Sequence, residues 1–514
     1  MARITLDTIT AIRYGMGNPI SRAILRNGMG HSSTGPAKLD TALEAFAFGR
    51  VPDKFGDRSY AMMLRLILDM VCMIFNVKQP ELAKYLQEPV TRRGVSSVLK
   101  GIATHGLTKP QLLNAPFLVV WNLTNICNLR CRHCYQKAGH PLKNELTLEE
   151  KLQLVDDLTA AGVVVIAFSG GEPLMHPDFF PTARRARENG LYVSVATNGI
   201  LLTPEMVHKL KDVGVGYVEV SLDSSRPVVH DNFRGLPGAW KRTVEGIGNA
   251  TKAGIITVMA TTVTQVNFHD VKNLIELSKK LGVSRFTHFN FIPTGRGKEI
   301  VNLDLSPEQR EQLLTLLYEE SQSAGLEVLS TAPQFARVVF QQSCGGSIAP
   351  THFYVGKNRN WGLKALAELI GGCGAGRLYC AIQPNGDITP CVFIPQLIVG
   401  NVKEKAFSEI WGTTKVFKDM QMRTYLKGAC ADCEYNKVCG GCRARGLGYF
   451  QDYTAPDVGC INNIEEWKKI APPEEHKTFL EKVAFGHSLN LSSHGEQRVS
   501  SRLPRRSQLK PNSL

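Results

Sequence analysis

Three cysteines at the spacing C-x3-C-x2-C are the residues that most directly indicate chemistry in this chain. Cys127, Cys131 and Cys134 lie in one short stretch, directly after the apolar, strand-like residues 116–122. Soft thiolate ligands suit iron–sulfur chemistry, and three of them can hold three irons of a [4Fe–4S] cluster. The fourth iron would have no protein ligand, as a cluster requires if it is to bind a small molecule. A structural zinc loop is the simpler alternative.

A second group of cysteines occupies the last third of the chain. Its eight members fall within residues 373–460 and are enough to ligate two further [4Fe–4S] clusters with four thiolates each. Zinc is again the alternative, because C-x2-C pairs also build zinc ribbons. The eight are Cys373, Cys380, Cys391, Cys430, Cys433, Cys439, Cys442 and Cys460.

The composition is that of an ordinary globular protein. The chain has 514 residues, of which 43% are hydrophobic and 21% charged, so we expect about two to four domains. No apolar leader begins at Met1, and we therefore expect the cysteines to be metal ligands in the reducing cytoplasm rather than disulfides. The net charge of +14 favours acidic partners, although part of it lies in residues 498–510, where a disordered tail is expected. A nucleic-acid role is not expected.

Strand-like and helical segments alternate from residue 116 onward, which predicts an α/β fold with a parallel sheet. Thr147 followed by Glu150 has the spacing of a capping box at the start of one crossover helix. Six strands are too few for a closed eight-stranded barrel, and active sites of such sheets form at the carboxyl ends of the strands. The six strand predictions are residues 117–123, 163–168, 192–196, 217–222, 256–263 and 286–292.

Glycine and polar residues mark several of these strand ends. Glycines let a backbone approach a ligand closely, because they have no Cβ. The basic, glycine-rich residues 293–298 follow the sixth strand and predict either an anion site or a plain surface turn. The other marked positions are Gly170, Gly171, Glu172 and Pro173 after the second strand, Asn198 after the third, and Ser221 with Asp223 after the fourth.

The first 115 residues lack this pattern and predict an accessory helical domain. Residues 60–75 are strongly apolar but fall short of the ~20 residues needed to span a bilayer, so a buried helix is expected. An interfacial helix that contacts lipid is the alternative. The predicted domains are residues 1–115 (helical), 116–335 (α/β core), 336–369 (linker), 370–465 (cysteine-rich) and 466–514 (a helix and the basic tail).

The cysteine loop with an aromatic residue after its third cysteine, together with Gly170-Gly-Glu-Pro173, resembles the radical S-adenosylmethionine (SAM) enzymes. The resemblance implies an open partial (β/α)6 barrel, in which the Cys127 loop holds a SAM-binding [4Fe–4S] cluster. That cluster cleaves SAM to a 5′-deoxyadenosyl radical, which removes hydrogen from a substrate carbon. The resemblance also implies that Gly170 to Pro173 meet the amino group of SAM and that Asn198, Ser221 and Asp223 lie near its ribose and methionine.

The second cysteine group resembles the SPASM extension of the same enzymes. The resemblance implies two auxiliary [4Fe–4S] clusters, one held by Cys373, Cys380, Cys391 and Cys442, the other by Cys430, Cys433, Cys439 and Cys460. The spacings around Cys380 and Cys442 differ slightly from those of sulfatase-maturing members. An alternative is therefore that Cys380 is free and one iron is open to substrate.

The resemblance leaves the substrate open. The sequence is similar to members that modify tetrapyrrole side chains in haem and d1-haem formation, and also to peptide maturases. A lipid substrate is a third alternative, which would give the apolar residues 60–75 a use. Expected partners are an electron donor such as a ferredoxin or flavodoxin and, as an alternative, a membrane surface. A non-enzymatic iron–sulfur electron-transfer protein is the competing class, but it would need neither the Gly-Gly-Glu-Pro motif nor the barrel.

Overall fold

A computed structural model describes residues 15–33, 35–75, 77–323, 325–344 and 371–470 of the chain. Five helices of its first part pack into one apolar core around Leu43, Leu64 and Ile102. The apolar residues 60–75 belong to the third of these helices, and Tyr60, Leu64 and Leu68 are buried there as predicted. The helices are α1 (Pro19–Asn27), α2 (Lys38–Phe48), α3 (Phe55–Phe75), α4 (Gln79–Gln87) and α5 (Pro89–His105).

A parallel sheet with helical crossovers follows, which confirms the α/β prediction. Residues 117–123 and the five other strand predictions each match a strand, and a seventh parallel strand, β7, extends the edge next to β6. The strands are β1 (Leu118–Thr124), β2 (Val165–Gly170), β3 (Tyr192–Thr197), β4 (Tyr217–Ser221), β5 (Ile256–Val263), β6 (Arg285–Asn290) and β7 (Glu327–Ser330).

The crossover helices cover one face of this sheet. The first of them begins with the predicted capping box, in which Thr147 and Glu150 each accept the other's backbone N–H. The helices are α6 (Leu148–Ala161), α7 (Phe179–Glu188), α8 (Pro204–Asp212), α9 (Pro227–Arg234), α10 (Ala239–Lys252), α11 (Val271–Lys280), α12 (Pro307–Ser321) and α13 (Gln334–Gln342). Helix α13 occupies the start of the predicted linker, whereas residues 345–370 lie outside the described residues.

The cysteine-rich part continues the same sheet. Strand β8 (Tyr379–Ile382) pairs in parallel with β1, so that Leu118 lies opposite Tyr379. Strands β9 (Asp387–Thr389) and β10 (Gly400–Asn401) follow in antiparallel order, giving an open ten-stranded sheet from β10 to β7 rather than a closed barrel. The helices of this part are α14 (Phe407–Ile410), α15 (Lys415–Gln421), α16 (Arg443–Phe450) and α17 (Ile464–Ile470). The tail predicted to be disordered lies outside the described residues.

The two faces of the sheet differ in exposure. Along β2 and β4 half-buried residues alternate with fully buried ones, such as Glu219 between Val218 and Val220. The buried set packs with the crossover helices in the main core. The alternate set lies on the inner face, where these side chains are partly open to solvent, and we call the space in front of this face the lumen.

Candidate functional site

The Cys127 loop lies at the carboxyl end of β1, where the sequence places it. Cys131 is buried, whereas Cys127 and Cys134 are half-buried. Burial raises the pKa of the Cys127 thiol to about 12, and the nearby Cys131 and Cys134 add to that rise. The three thiols therefore lie within electrostatic reach of one another, as ligands of one cluster must.

Two arginines from distant parts of the chain contact this loop. The Arg234 guanidinium donates to Cys131 Sγ at 3.7 Å and to Asp223 at 2.6 Å. Arg296 donates from Nε to the Cys131 carbonyl at 2.8 Å and from Nη1 to the Ala138 carbonyl at 2.9 Å. Arg296 is thus a clamp on the loop backbone, a role that neither of the predictions for residues 293–298 included.

The Gly-Gly-Glu-Pro motif packs directly on the same loop. The backbone N–H groups of Gly171 and Glu172 donate to the carbonyls of Thr124 and Ile126 at 2.8 and 2.7 Å. A Cβ on Gly171 would lie 2.0 Å from the Ile126 carbonyl oxygen, and one on Gly170 would lie 2.5 Å from that of Thr124. Both positions therefore require glycine because the backbone next to the cysteine loop lies too close to leave room for a Cβ.

The carboxylate of Glu172 connects two strand ends. It is fully buried and accepts hydrogen bonds from the Thr197 hydroxyl at 2.7 Å and from the Asn198 backbone N–H at 2.8 Å. Burial raises its pKa to about 7 in spite of these donors. Pro173 follows at the start of a short 3-10 turn, Pro173–Met175. Glu172 therefore braces the ends of β2 and β3 beneath the cysteine loop.

The remaining predicted SAM contacts surround the loop as well. The Asn198 side chain donates to Asn128 within the loop at 2.7 Å, and half-exposed Ser221 ends β4 on the inner face. Asp223 is 1% exposed and is bound to Arg234. Burial alone would raise the pKa of Asp223, but Arg234 and His133 hold it below its usual value. Asn198 and, through Arg234, Asp223 are thus connected to the loop. The contacts of Asn198, Ser221 and Asp223 with SAM stay predictions.

Three thiols of the second group meet beside β8. Burial raises the pKa of the Cys442 thiol, and Asp457, Cys373 and Cys391 raise it further. Cys391 Sγ accepts a hydrogen bond from the backbone N–H of Phe393 at 3.5 Å. We call Cys373, Cys391 and Cys442 the first auxiliary site.

Cys380 does not lie with these thiols, although it was predicted to ligate the same cluster. It follows Tyr379 on β8, and neighbouring residues of a strand point to opposite faces. Its side chain is fully buried in the main core, with Ile382 and Trp411, beneath the helices. Burial alone raises the pKa of its thiol, with no contribution from another described thiol. Strand alternation thus removes Cys380 from the first auxiliary site, as the alternative prediction allowed.

The other predicted set lies next to the first auxiliary site. Burial raises the pKa of the Cys439 thiol, and the nearby Cys460 and Cys430 raise it further. Cys430 Sγ accepts from the Asn463 side chain at 3.6 Å. Cys433 is half-buried in the turn that follows Cys430. With Cys433, these residues are the second auxiliary site.

Asp457 joins the two auxiliary sites. Its backbone N–H donates to Cys430 Sγ at 3.5 Å, and its carboxylate accepts the backbone N–H of Cys442 at 2.8 Å. Arg445 pairs with Asp457 at 3.0 Å and with Asp304 of the α/β core at 2.7 Å, and all three side chains are fully buried. This network fixes the cysteine-rich part against the core.

The arrangement fits iron–sulfur clusters at three places. Backbone N–H groups and the side chains of Arg234 and Asn463 donate to thiol sulfurs, as donors do to the thiolates of such clusters. Among the described residues, no three Cys, His, Asp or Glu side chains are close enough to hold a single metal ion.

The lumen between the loop and the first auxiliary site is lined by aromatic and neutral polar groups. The rings of Tyr135 and Phe393 meet edge to face at 5.0 Å, and Phe289 packs against Phe393 at 6.5 Å. The Tyr135 hydroxyl bonds to Ser169 at 3.1 Å, and Gln136 donates to Gln383 of the cysteine-rich part at 2.9 Å. Both cysteine regions therefore contribute to its wall.

Several functional contacts were not foreseen from the sequence. Arg234 belongs to no motif, and Arg296 lies in the stretch 293–298 but holds backbone carbonyls rather than the anion considered for it. No single helix in the described ranges combines the length and hydropathy of a membrane span; only the bent pair Phe55–Ile74 and Gln79–Gln87 does so together, by length and composition.

Comparisons with known proteins agree with this site. The sequence model of the Radical SAM superfamily matches residues 121–278, and that of the SPASM iron–sulfur cluster-binding domain matches residues 373–443. An AdoMet-dependent heme synthase of Methanosarcina barkeri is 38% identical over 68% of this chain and 97% of its own length. The mycofactocin maturase MftC of Mycobacterium tuberculosis is 29% identical over 69% of this chain and 85% of its own.

A solved structure has the same fold. Streptococcus suis SuiB bound to S-adenosylmethionine aligns with a TM-score of 0.58 at 17% identity, over 82% of this chain and 92% of SuiB. The chain therefore belongs to the radical SAM superfamily, as an enzyme with a C-terminal SPASM domain whose cofactors are SAM and iron–sulfur clusters.

Proposed function

We propose that this enzyme modifies carboxylate side chains of a tetrapyrrole, by oxidative decarboxylation of a propionate. The observation that carries the proposal is the 38% identity to an AdoMet-dependent heme synthase over nearly that protein's whole length. The peptide maturase MftC is less similar, at 29% identity. A peptide substrate is therefore the second candidate.

When bound, the SAM-binding cluster and SAM supply a radical that takes one hydrogen atom from the substrate. In the proposed reaction a propionate loses a hydrogen atom from the carbon next to the ring. The bond to the carboxylate then breaks, CO2 leaves and a vinyl group remains. One electron is released in this step and needs an acceptor.

The lumen has aromatic and hydrogen-bonding groups that could bind a flat macrocycle. Tyr135, Phe289 and Phe393 present aromatic rings that are half-exposed to it, and such rings stack on flat apolar ligands. Asn122, Gln136 and Gln383 add neutral hydrogen-bonding groups near the loop. Because the first auxiliary site has three thiols, one iron of a [4Fe–4S] cluster held there would be free to bind a substrate carboxylate or an added ligand.

The test is an anaerobic assay of the reconstituted full chain with SAM, dithionite and an iron porphyrin that carries propionates. We expect 5′-deoxyadenosine together with a product lighter by the mass of CO2 and two hydrogens for each vinyl group formed. The variant with Cys127, Cys131 and Cys134 all changed to Ala should form neither. Formation of 5′-deoxyadenosine with the porphyrin unchanged would reject the tetrapyrrole proposal and leave the SAM chemistry intact.

We also propose that the electron donor is a small acidic redox protein such as a flavodoxin. The chain has 60 Lys and Arg against 46 Asp and Glu, so an acidic donor is attracted at long range. Added salt should slow 5′-deoxyadenosine formation when flavodoxin is the reductant and leave the dithionite-driven rate unchanged. Equal salt effects with both reductants would contradict an electrostatic encounter.

A peripheral membrane contact of α3 is a further proposal. One face of this helix carries apolar side chains that are 62–84% exposed, with Arg58 and Arg65 among them. These apolar residues are Phe55, Met62, Leu66 and Met73. Leu66→Glu should abolish sedimentation with anionic phosphatidylserine vesicles, whereas Ile398→Glu, at a comparably exposed residue of the cysteine-rich part, should not. Sedimentation that survives Leu66→Glu would reject the contact.

A further inference from the structure

Tyr379 lies among the thiols of the first auxiliary site without being one of its expected ligands. Its side chain is 2% exposed, and its hydroxyl is 2.9 Å from Cys391 Sγ. It packs in the same apolar cluster as Cys373, Cys391 and Cys442. A buried hydroxyl at this distance from a sulfur forms a hydrogen bond.

The direction of this hydrogen bond follows from metal binding. A cysteine that ligates a metal has lost its proton, so only the phenol of Tyr379 has a hydrogen to donate. The backbone N–H of Phe393 donates to the same sulfur at 3.5 Å. Cys391 thus receives two hydrogen bonds.

The strand supplies a matched neighbour for comparison. Tyr379 and Cys380 are consecutive residues of β8, and both are almost fully buried. Tyr379 points to the thiols on the inner face, whereas Cys380 points into the core beneath the helices. A substitution at either residue perturbs the same strand, but only Tyr379 touches a thiol of the first auxiliary site.

We propose that Tyr379 is a positioning residue that donates a hydrogen bond to the Cys391 thiolate and raises the reduction potential of the first auxiliary cluster. Reduction adds negative charge to a cluster, and a donor to one of its sulfurs stabilises the more negative state. The proposal rests on the cluster assignment above and is independent of the substrate. It makes this cluster a better acceptor for an electron released in the lumen.

The test is an anaerobic redox titration, followed by electron paramagnetic resonance, of the reconstituted full chain without substrate. Tyr379→Phe keeps the ring and removes the donor. We expect unchanged iron and sulfide contents and a more negative potential for one cluster. The shift should be near a tenfold fall in the ratio of reduced to oxidised cluster at fixed potential, which equals about 59 mV for one electron.

One control assigns the shift. Cys380→Ala should leave every potential and the iron content unchanged, because its side chain lies on the other face of β8. A second measurement is resonance Raman spectroscopy in H2O and D2O, in which the iron–sulfur stretching bands of the unchanged protein should shift and those of Tyr379→Phe should shift less.

Three outcomes would overturn the proposal. Unchanged potentials in Tyr379→Phe would show that the hydrogen bond does not tune the cluster. An equal shift in Cys380→Ala would assign the effect to the strand as a whole. Loss of about four irons in Tyr379→Phe would make the residue necessary for cluster assembly instead. Absence of iron from the unchanged protein would instead reject the cluster assignment itself.

Discussion

The Cys127 loop and the auxiliary sites use the same ligand in opposite surroundings. The loop places three thiols within eight residues and leaves Cys127 and Cys134 half-buried beside the lumen. The auxiliary sites gather thiols from residues 373–460, and among the thiols placed in these two sites only Cys433 is not buried. The half-buried loop can admit a ligand as large as SAM, whereas the thiols of the auxiliary sites are held away from water.

The two regions also differ in what holds them. The loop is fixed by donors to its backbone carbonyls, among them Arg296 and the N–H groups of Gly171 and Glu172. The auxiliary sites are fixed by the buried ion pairs of Arg445 with Asp304 and Asp457. The loop is therefore held mainly by hydrogen bonds to its own backbone, and the array by buried charge pairs that reach into the α/β core.

We expect the largest effect from replacing the thiols of each region, because the two sets of variants should lose different activities. Changing Cys127, Cys131 and Cys134 to Ala should remove all SAM cleavage and about four irons per chain. Changing Cys391 and Cys442 to Ala should remove a similar amount of iron and stop substrate turnover, while SAM cleavage continues. Iron analysis and chromatography of 5′-deoxyadenosine measure both. If the Cys391 and Cys442 variant also loses SAM cleavage, the two regions are not separable.

Substitution of Arg296, which holds the loop backbone, should have the next largest effect on activity. Arg296→Ala removes two hydrogen bonds from a charged donor and should lower kcat/KM for SAM by about 30- to 100-fold. Lys298→Ala removes an exposed charge from the same turn and should change it by less than about twofold. Equal losses in both variants would favour an anion-binding role for the turn over the clamp.

The stability of the folded protein should depend on pH through Glu219, which lies on the inner face of the sheet between the two regions. Burial raises the pKa of this carboxyl from 4.5 to about 7, and among the described residues it has no hydrogen bond. Because the folded protein holds this proton more tightly, its stability falls as the pH rises from about 4.5 to about 7. Glu219→Gln should remove that fall and be more stable than the unchanged protein by about 2 kcal/mol at pH 8.

Anaerobic denaturant unfolding at pH 5 and pH 8 measures this difference. The two proteins should be closest in stability at pH 5, where the Glu219 carboxyl is protonated in the folded state. A difference that does not depend on pH would show that Glu219 is ionised in the folded protein at both values.

The smallest expected effect concerns Asn198. Asn198→Ala breaks the bond to Asn128 in the loop and should raise KM for SAM by about 3- to 10-fold. Asn128→Ala should have the same effect, and the double variant should be no worse than either. An effect of Asn198→Ala that clearly exceeds that of Asn128→Ala would instead support direct contact of Asn198 with SAM.

Local motifs in the sequence were enough to locate the half-buried loop region at the strand ends, whereas the ligand roles of its residues stay predictions. The Cys127 loop and Gly170 to Pro173 each lie within one short stretch at a strand end, so spacing alone locates them. Arg234 and the clamp role of Arg296 were not predicted, because a donor to backbone carbonyls or to one sulfur needs no recognisable pattern.

The auxiliary region was harder to predict because its neighbours are distant in sequence. Spacing counts residues and does not reveal which face of a strand each one occupies, so Cys380 was grouped with thiols that lie on the other side of β8. The pairing of β8 with β1 joins residues some 260 positions apart, and no local signal indicates it. The short strand β7 has only four residues, Glu327–Ser330, and was likewise missed.

The pairing of β1 with β8 has a consequence for how the chain can be divided. Residues 118–121 would become a bare, apolar sheet edge if the chain were cut before the cysteine-rich part, and such edges recruit other strands. A shortened enzyme that ends near residue 344 should therefore aggregate rather than survive as a smaller SAM-cleaving domain. On this expectation the α/β core and the cysteine-rich part fold as one unit.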